Sequence, residues 1–421
     1  MNELCQVAFS QIDITPNFQV ELIGCHREDN RSQGILHPLY AQILLFKHNG
    51  RTYCLITIDN LGLTTLLAED LRLRVAKVLH TNSSFVMLNF SHTHSAPAPS
   101  SFALNGELYF NYMCEQILKC VKDSIANYTP CKVGWAVTYT SIGENRRDGC
   151  TDVDNRLGAL KLVDSKNGNL IAIVLRITAH ANVLMRDNCQ ISSDYFSIAR
   201  EKLQNYFSCP VMLIQGAAGN IKPIGAHKIY GGKISNLDEI ADILVDSASG
   251  LKFTLNDIKD IQMLTRKINY FSDVPTEVEA KRIADEGLRT CGVDGGNWLK
   301  ECERLRKAGV NVQTLQGEVQ FFKINDGCFC GVPEEIFCEI SIEVKEKTGN
   351  PLVFFNGYTN GCTGYLPHKD EWEKGGYETL YSYLSYYPFH GHVMPFRKDT
   401  AEQLIKLVSD NWRDLTTAAK G

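Results

Sequence analysis

The chain has 421 residues, 44% hydrophobic and 22% charged, with a formal net charge of −5. That balance fits a globular protein with a sizeable core and no biased tract. It lacks the basic surface that general nucleic-acid binding requires, and no apolar run reaches the ~18 residues of a membrane span.

From the amino terminus, MNELCQVAFSQIDITPN carries no charged segment leading into an apolar core. No signal peptide is therefore expected, and a cytoplasmic location is the default. Apolar, β-rich runs come next at 39–47, 52–59 and 84–90, with an amphipathic helix predicted over 64–80. A second helix is predicted over 111–128, where Ile117, Val121 and Ile125 recur every four residues. Strands are expected at 158–164, 170–179, 210–216, 318–325, 327–333 and 351–357, and helices over 335–347 and 398–416. The stretch 276–308 reads as two charged helices, an insertion or a lid. Strands that are apolar almost throughout, alternating with helices, predict an α/β protein with mixed sheets flanked by helices. No linker or repeat divides the chain, so residues 1–421 are expected to form a single domain. Fifteen cysteines lie without a CxxC pair, and most read as reduced, buried small hydrophobes.

Polar residues gather where the apolar strands end, which is where catalytic groups commonly collect in α/β proteins. The run LNFSHTHSAPAPS ends a strand with His92 and His94, which alternate and so share one side. His180 follows the strand 170–179. The turn GAAGNIKP follows 210–216, with free backbone N–H groups able to cradle an anion. Glu334 and Glu335 open the helix predicted at 335–347, and Tyr365 and His368 follow the strand 351–357. Taken singly, each has an ordinary structural explanation: a hydrogen-bonded core histidine, carboxylates favoured at a helix start, a packing tyrosine. Together, two or three histidines and one carboxylate suffice for a catalytic zinc with an open position. His390 and His392, also one residue apart, form a second candidate metal or substrate site.

The order of IDITP, SHTHSAPAP, ENRRDG, AHANVL, QGAAGNIKP, VPEEIF and GYLP…GGYE, from about residue 8 to about residue 405, resembles the neutral/alkaline (non-lysosomal) ceramidases. The likeness is to short bacterial forms of their amino-terminal catalytic domain. It implies a ceramidase catalytic-domain fold and one Zn²⁺ per chain held by His92, His180, Glu335 and Tyr365. His94 would then lie beside the metal-bound water, with Arg146 (or its neighbour Arg147) and Tyr377 as further catalytic residues. Tyr377 keeps the twelve-residue spacing from Tyr365 that the resemblance implies for the second tyrosine.

The resemblance implies a zinc-dependent hydrolase that cleaves an amide with metal-activated water, acting on a small-molecule substrate. The alternatives are an esterase or deacetylase of a small metabolite and an inactive binding protein on the same fold. Mixed N/O ligands leave another divalent metal open. The chain departs from the ceramidases where they carry G-D-x-S-P-N: Gly219, Asn220 and Lys222 stand there. No serine nucleophile is available, and Lys222 near the pocket predicts a polar or acidic substrate rather than ceramide, with Gly219 and Asn220 beside it.

Overall fold

In the computed structural model, which describes residues 4–227 and 230–417, most of the apolar strands fall into two sheets that pack face to face. The larger sheet is built from β1 (Gln6–Asp13), β2 (Tyr40–His48), β3 (Arg51–Ile58), β4 (Val86–Phe90) and β5 (Thr129–Tyr139). A two-stranded pair is made by β6 (Gly143–Asn145) and a later strand. The large sheet is completed by β7 (Arg156–Asp164), β8 (Leu170–Ile177) and β9 (Val211–Gln215), in the order β4-β3-β2-β1-β5-β7-β8-β9. The partner of β6 is β10 (Ile221–Pro223), and β11 (Asn256–Asp257) adds to β5.

Alternation along β2 explains the burial of both faces. Ile43 and Leu45 meet the helical side, whereas Leu44 and Phe46 enter the core between the sheets. The outer face is covered by α1 (Thr65–Leu79) and α2 (Gly106–Ser124) on one half and by α3 (Tyr195–Phe207) and α4 (Ile234–Ala248) on the other.

The second sheet contains β12 (Ile261–Asp273), β13 (Val312–Ile324) and β14 (Gly327–Gly331). After the short β15 (Glu335–Ile336) comes β16 (Val353–Asn356), which pairs in parallel with β14. Phe322 and Ile324 face the large sheet, while Val319 and Phe321 face outward. Two helices line the end of that outward core: α7 (Cys338–Thr348) and, at the far end of the chain, α10 (Thr400–Thr417). Between β12 and β13 the chain inserts α5 (Glu277–Cys291) and α6 (Gly296–Lys307), the two helices expected over 276–308. They pack through Ala280, Ile283 and Trp298 onto Leu384 and Val393. Leu384 belongs to α9 (Tyr383–His390), which follows β17 (Tyr365–Leu366) and the single-turn α8 (Lys369–Trp372).

The nine expected strands are present, although the run at 318–325 is the end of a longer strand that starts at Val312. Strands β1, β5 and β12 and helices α3 and α4 were not expected. Exposed and half-buried polar positions interrupt these strands, so they lack the continuous apolar run that marks a strand buried on both faces. The helix expected from 335 begins only at Cys338. Glu335 lies before it in β15, because Glu335 and Ile336 pair in parallel with Tyr365 and Leu366. Among the described residues, no helix is long and apolar enough to cross a membrane.

Candidate metal centre

The large sheet curls until its two edge strands meet. Asn89 of β4 donates through Nδ2 to the carbonyl of Gln215 in β9 and accepts from the Gln215 N–H at 2.8 Å. That closure places the residues after β4 beside those after β8 and β9. His92 leaves β4 with φ +60°, a left-handed turn uncommon for a non-glycine residue. Its Nδ1 lies 2.7 Å from the Leu61 carbonyl. His180, fully buried after β8, makes the equivalent contact to the Ala218 carbonyl, also 2.7 Å. A carbonyl only accepts, so each Nδ1 carries a proton and each ring turns its Nε2 towards the same place.

Both Nε2 atoms point at one carboxylate oxygen. Glu335 Oε2 lies 3.1 Å from His92 Nε2 and 3.3 Å from His180 Nε2. His180 Nε2 and Glu335 Oε2 are nevertheless buried without a hydrogen-bond partner. Burial, reinforced by Arg146, pulls His180 down to about 4, so it is neutral near pH 7. Burial opposes ionisation of Glu335, but the two histidines outweigh it and hold the carboxyl well below its ordinary range. The strand pair of β15 with β17 sets Tyr365 directly opposite Glu335. The Tyr365 ring stacks on His180 at 6.4 Å, and its hydroxyl oxygen accepts from Arg146 at 3.0 Å.

His94 stands beside this group, its ring 5.1 Å from His92 and 5.4 Å from His180. Both of its ring nitrogens are buried and unpartnered. Burial first, then His92 and His180, push it well below the usual imidazole value, so it is a neutral base. Of the two adjacent arginines, Arg146 reaches Tyr365 and the Gly219 carbonyl at 2.6 Å. Arg147 turns instead to Glu371, Glu378 and the Gly375 carbonyl. Tyr377 meets Tyr365 edge-on at 6.4 Å. His92, His94, Arg146, Glu335, Tyr365 and Tyr377 all line one cavity of about 1370 Å³. The turn between α5 and α6, Cys291 to Asp294, borders the same cavity.

Three of the expected substrate residues lie elsewhere. Lys222 is in β10 opposite Glu144 of β6, and the two side chains form an ion pair. It does not line the cavity, because strand pairing turns it to the outside. Asn220 caps α7, accepting from the Cys338 N–H and donating to the Glu339 carboxylate. Gly219 packs against the backbone of Glu335 and Ile336: its N–H donates to the Ile336 carbonyl and its own carbonyl accepts from Arg146. His390 reaches the cavity next to Gly364, whereas His392 is buried, stacked 4.1 Å from Phe396 and bound to the Met394 carbonyl. Their rings are 6.0 Å apart.

Two residues that sequence reasoning passed over also belong here. The ring of Tyr358 lies 4.4 Å from that of His92, and its buried hydroxyl has no partner. Cys362 sets its sulfur 3.9 Å from Glu335 Oε1. The signal for both was the polar run GYTNGC after β16, but the positive φ of Tyr358 and Asn360 that folds it over His92 cannot be read from residue types.

The two packed sheets and the approach of β4 to β9 are those of a ceramidase fold. The chain superposes on neutral ceramidase from Pseudomonas aeruginosa with a TM-score of 0.72 at 18% identity, over 97% of this chain and 74% of that one. A ceramidase complexed with C2 matches with a TM-score of 0.74 at 17% identity, over 99% and 76% of the two chains. No protein-family model matches the sequence, and no curated protein matches it.

Proposed function

We propose that the chain is a zinc-dependent hydrolase of an amide bond in an N-acyl substrate. The observation that carries this reading is the convergence of His92 Nε2, His180 Nε2 and Glu335 Oε2 in one buried place, with each Nδ1 committed to a backbone carbonyl. Without a cation, such an arrangement sets like electron density face to face in a buried place. The donor set suits zinc: two imidazoles, each fixed by a carbonyl behind it, one carboxylate and one phenol oxygen. His92, His180, Glu335 and Tyr365 would hold the ion. When bound, a zinc ion polarises a carbonyl and lowers the pKa of water to ~7.

The chain's own groups supply the rest. His94, neutral and unpartnered, takes a proton from the attacking water and returns it to the leaving amine. Arg146 donates to the Tyr365 oxygen, a hydrogen bond that partly offsets the burial and the Glu335 charge holding this phenol well above its ordinary range. Tyr377 and Arg146 present donors to the carbonyl oxygen as negative charge grows on it. No serine stands at the turn after β9, so the nucleophile is water. An ester would be cleaved by the same groups.

Elemental analysis of purified protein, wild type against His92→Ala and Glu335→Ala, tests the reading. About one zinc per chain, lost in both variants, is expected, with hydrolysis of N-acyl amides abolished alongside. No bound metal and no affinity for added zinc would overturn it and leave a binding protein on a hydrolase fold.

A further inference from the structure

The cavity walls differ in charge, and each wall is attached to a different histidine. The Leu61 carbonyl holds His92, and the chain beyond it places Leu63, Leu66 and Leu67 in the cavity wall, joined by Phe110 of α2. Leu66 is 82% exposed, an apolar side chain with nothing of this protein covering it. Another stretch of the wall is attached to His94. Gly24 leaves so little room that a Cβ there would lie 2.7 Å from the His94 ring, and Arg27 donates to the His94 carbonyl at 2.6 Å.

This second wall is positive. Most of the cavity's other cations are answered: Arg74 by Asp70, Arg146 by Glu378, Arg147 by Glu371 and Glu378, and Lys374 by Glu371. Arg186 lines the cavity beside Cys25, with its guanidinium over the ring of Tyr230 at 5.8 Å. Arg27, 2% exposed, spends its donors on the carbonyls of His94 and Asn188 and leaves Nη1 buried and unpartnered. Arg186 lines the cavity itself, and Arg27 is buried in the wall's support, joined to the lining residue His94 through the His94 carbonyl. Among the described residues no carboxylate pairs with either.

We infer that the substrate's amine half carries a carboxylate, received by Arg186 at the wall beside Cys25, so that the chain hydrolyses N-acyl amino acids. The inference rests on the hydrolase reading, because His94 returns its proton to the leaving nitrogen and the amine half must therefore lie on the His94 side. The acyl chain then runs along Leu63, Leu66, Leu67 and Phe110. Hydrolysis breaks the acyl C–N bond, the water's hydroxyl goes to the acyl carbon and its proton to nitrogen, and a fatty acid and an amino acid leave. This wall gives the acid preference first expected from Lys222 a different origin.

Binding can be measured apart from cleavage. N-(dodecylsulfonyl)glycine and its carboxamide present the same chain and differ only in the carboxylate, and in both a sulfonyl group replaces the acyl carbonyl that would be attacked. Titrated into the zinc-loaded protein by calorimetry, the acid is expected to bind about tenfold more tightly, the size of one charge-assisted contact. Exposed Arg186 can be replaced without disturbing the core, and Arg186→Ala should bring the acid-to-amide ratio close to one. Equal affinities in the wild type, or a ratio unchanged by Arg186→Ala, would overturn the anion wall. Hydrolysis of N-dodecanoylglycine and N-dodecanoylglycinamide is followed in parallel. Cleavage of both with equal kcat/KM also overturns the wall while sparing the hydrolase. An acid preference in binding with cleavage of neither overturns the hydrolase reading, and the proposed substrate with it, while leaving the wall.

Discussion

Gly219→Ala is the substitution whose effect the geometry fixes most closely. A Cβ at Gly219 would lie 2.2 Å from the Glu335 carbonyl oxygen, 2.8 Å from that of Ile336 and 2.9 Å from the Glu335 carbonyl carbon. All three are backbone atoms, so no rotamer change relieves the clash. Ordinary contact begins at 3.4 Å, so β15 must move by about 1 Å in an interior packed like a crystal. Overpacking of this kind costs roughly 1–3 kcal/mol of stability. The larger effect falls on function, because the displaced strand carries Glu335 and is paired with Tyr365. A misplacement of ~1 Å at a reacting centre costs on the order of 100-fold in rate. The assays are zinc affinity by chelator competition, kcat/KM on an N-acyl amide, and urea unfolding of the same preparation. The expected result is a loss of zinc affinity and a rate loss of about 100-fold, together with only modest destabilisation. Zinc affinity and rate both within twofold of wild type would refute the claim that this turn positions the ligands.

Individual contacts make three more outcomes specific. Arg146→Lys keeps the charge but loses the Nη2 that joins Tyr365 to the Gly219 carbonyl and the Nε that faces Glu378, and kcat/KM should fall by roughly 100-fold or more, measured under saturating zinc. Tyr358→Phe removes a hydroxyl buried without a partner, so urea unfolding should show stability unchanged or raised by about 1 kcal/mol; a loss of that size would reveal a partner for the hydroxyl. The metal-free protein should lose stability as pH falls from about 6.5 to about 4.5, as read from denaturation midpoints. Burial holds His180 at about 4, His390 at about 3 and His392 at about 4, so the unfolded chain takes up protons in that window that the folded chain refuses. Burial also raises Glu334 to about 7 and Asp194 to about 6, which acts in the opposite sense, but two carboxyls do not offset three histidines plus His94.

Strand ends were legible because sequence alone marks where a buried apolar run stops. His92 and His180 follow β4 and β8, and both fall in the centre. Glu335 was legible as a residue but not in its setting: two carboxylates before an apolar period read as a helix start, and only the chain beyond β16, folding back to pair Tyr365 with it, makes that segment a strand. Lys222 shows the reverse failure. Its place in a turn suggested a pocket, but its direction is set by pairing with Glu144, 78 residues earlier, which local pattern does not encode. The closure through Asn89 and Gln215 was invisible for the same reason, since each reads as an ordinary polar residue in an apolar strand. Arg27 carried no signal at all until its burial without a carboxylate was seen.

Removal of the metal should cost more than activity. His94 Nδ1 and Nε2, His180 Nε2 and Glu335 Oε2 are all buried without hydrogen-bond partners, and a buried polar group left unsatisfied costs about 1–3 kcal/mol. The sheet closure, the carbonyls behind His92 and His180, and the pairing of β15 with β17 hold these atoms together, so the folded chain bears that cost in advance. A cation that satisfies His180 and Glu335 returns it as stability, and at free zinc 100 times the dissociation constant linkage adds about 2.7 kcal/mol. Thermal unfolding of zinc-loaded protein should therefore show a midpoint that falls on chelation and recovers on adding zinc back, and His180→Ala should abolish the difference. Identical midpoints with and without chelator, in protein shown to contain zinc, would mean that the metal sits outside this centre. The converging atoms would then need another counter-charge.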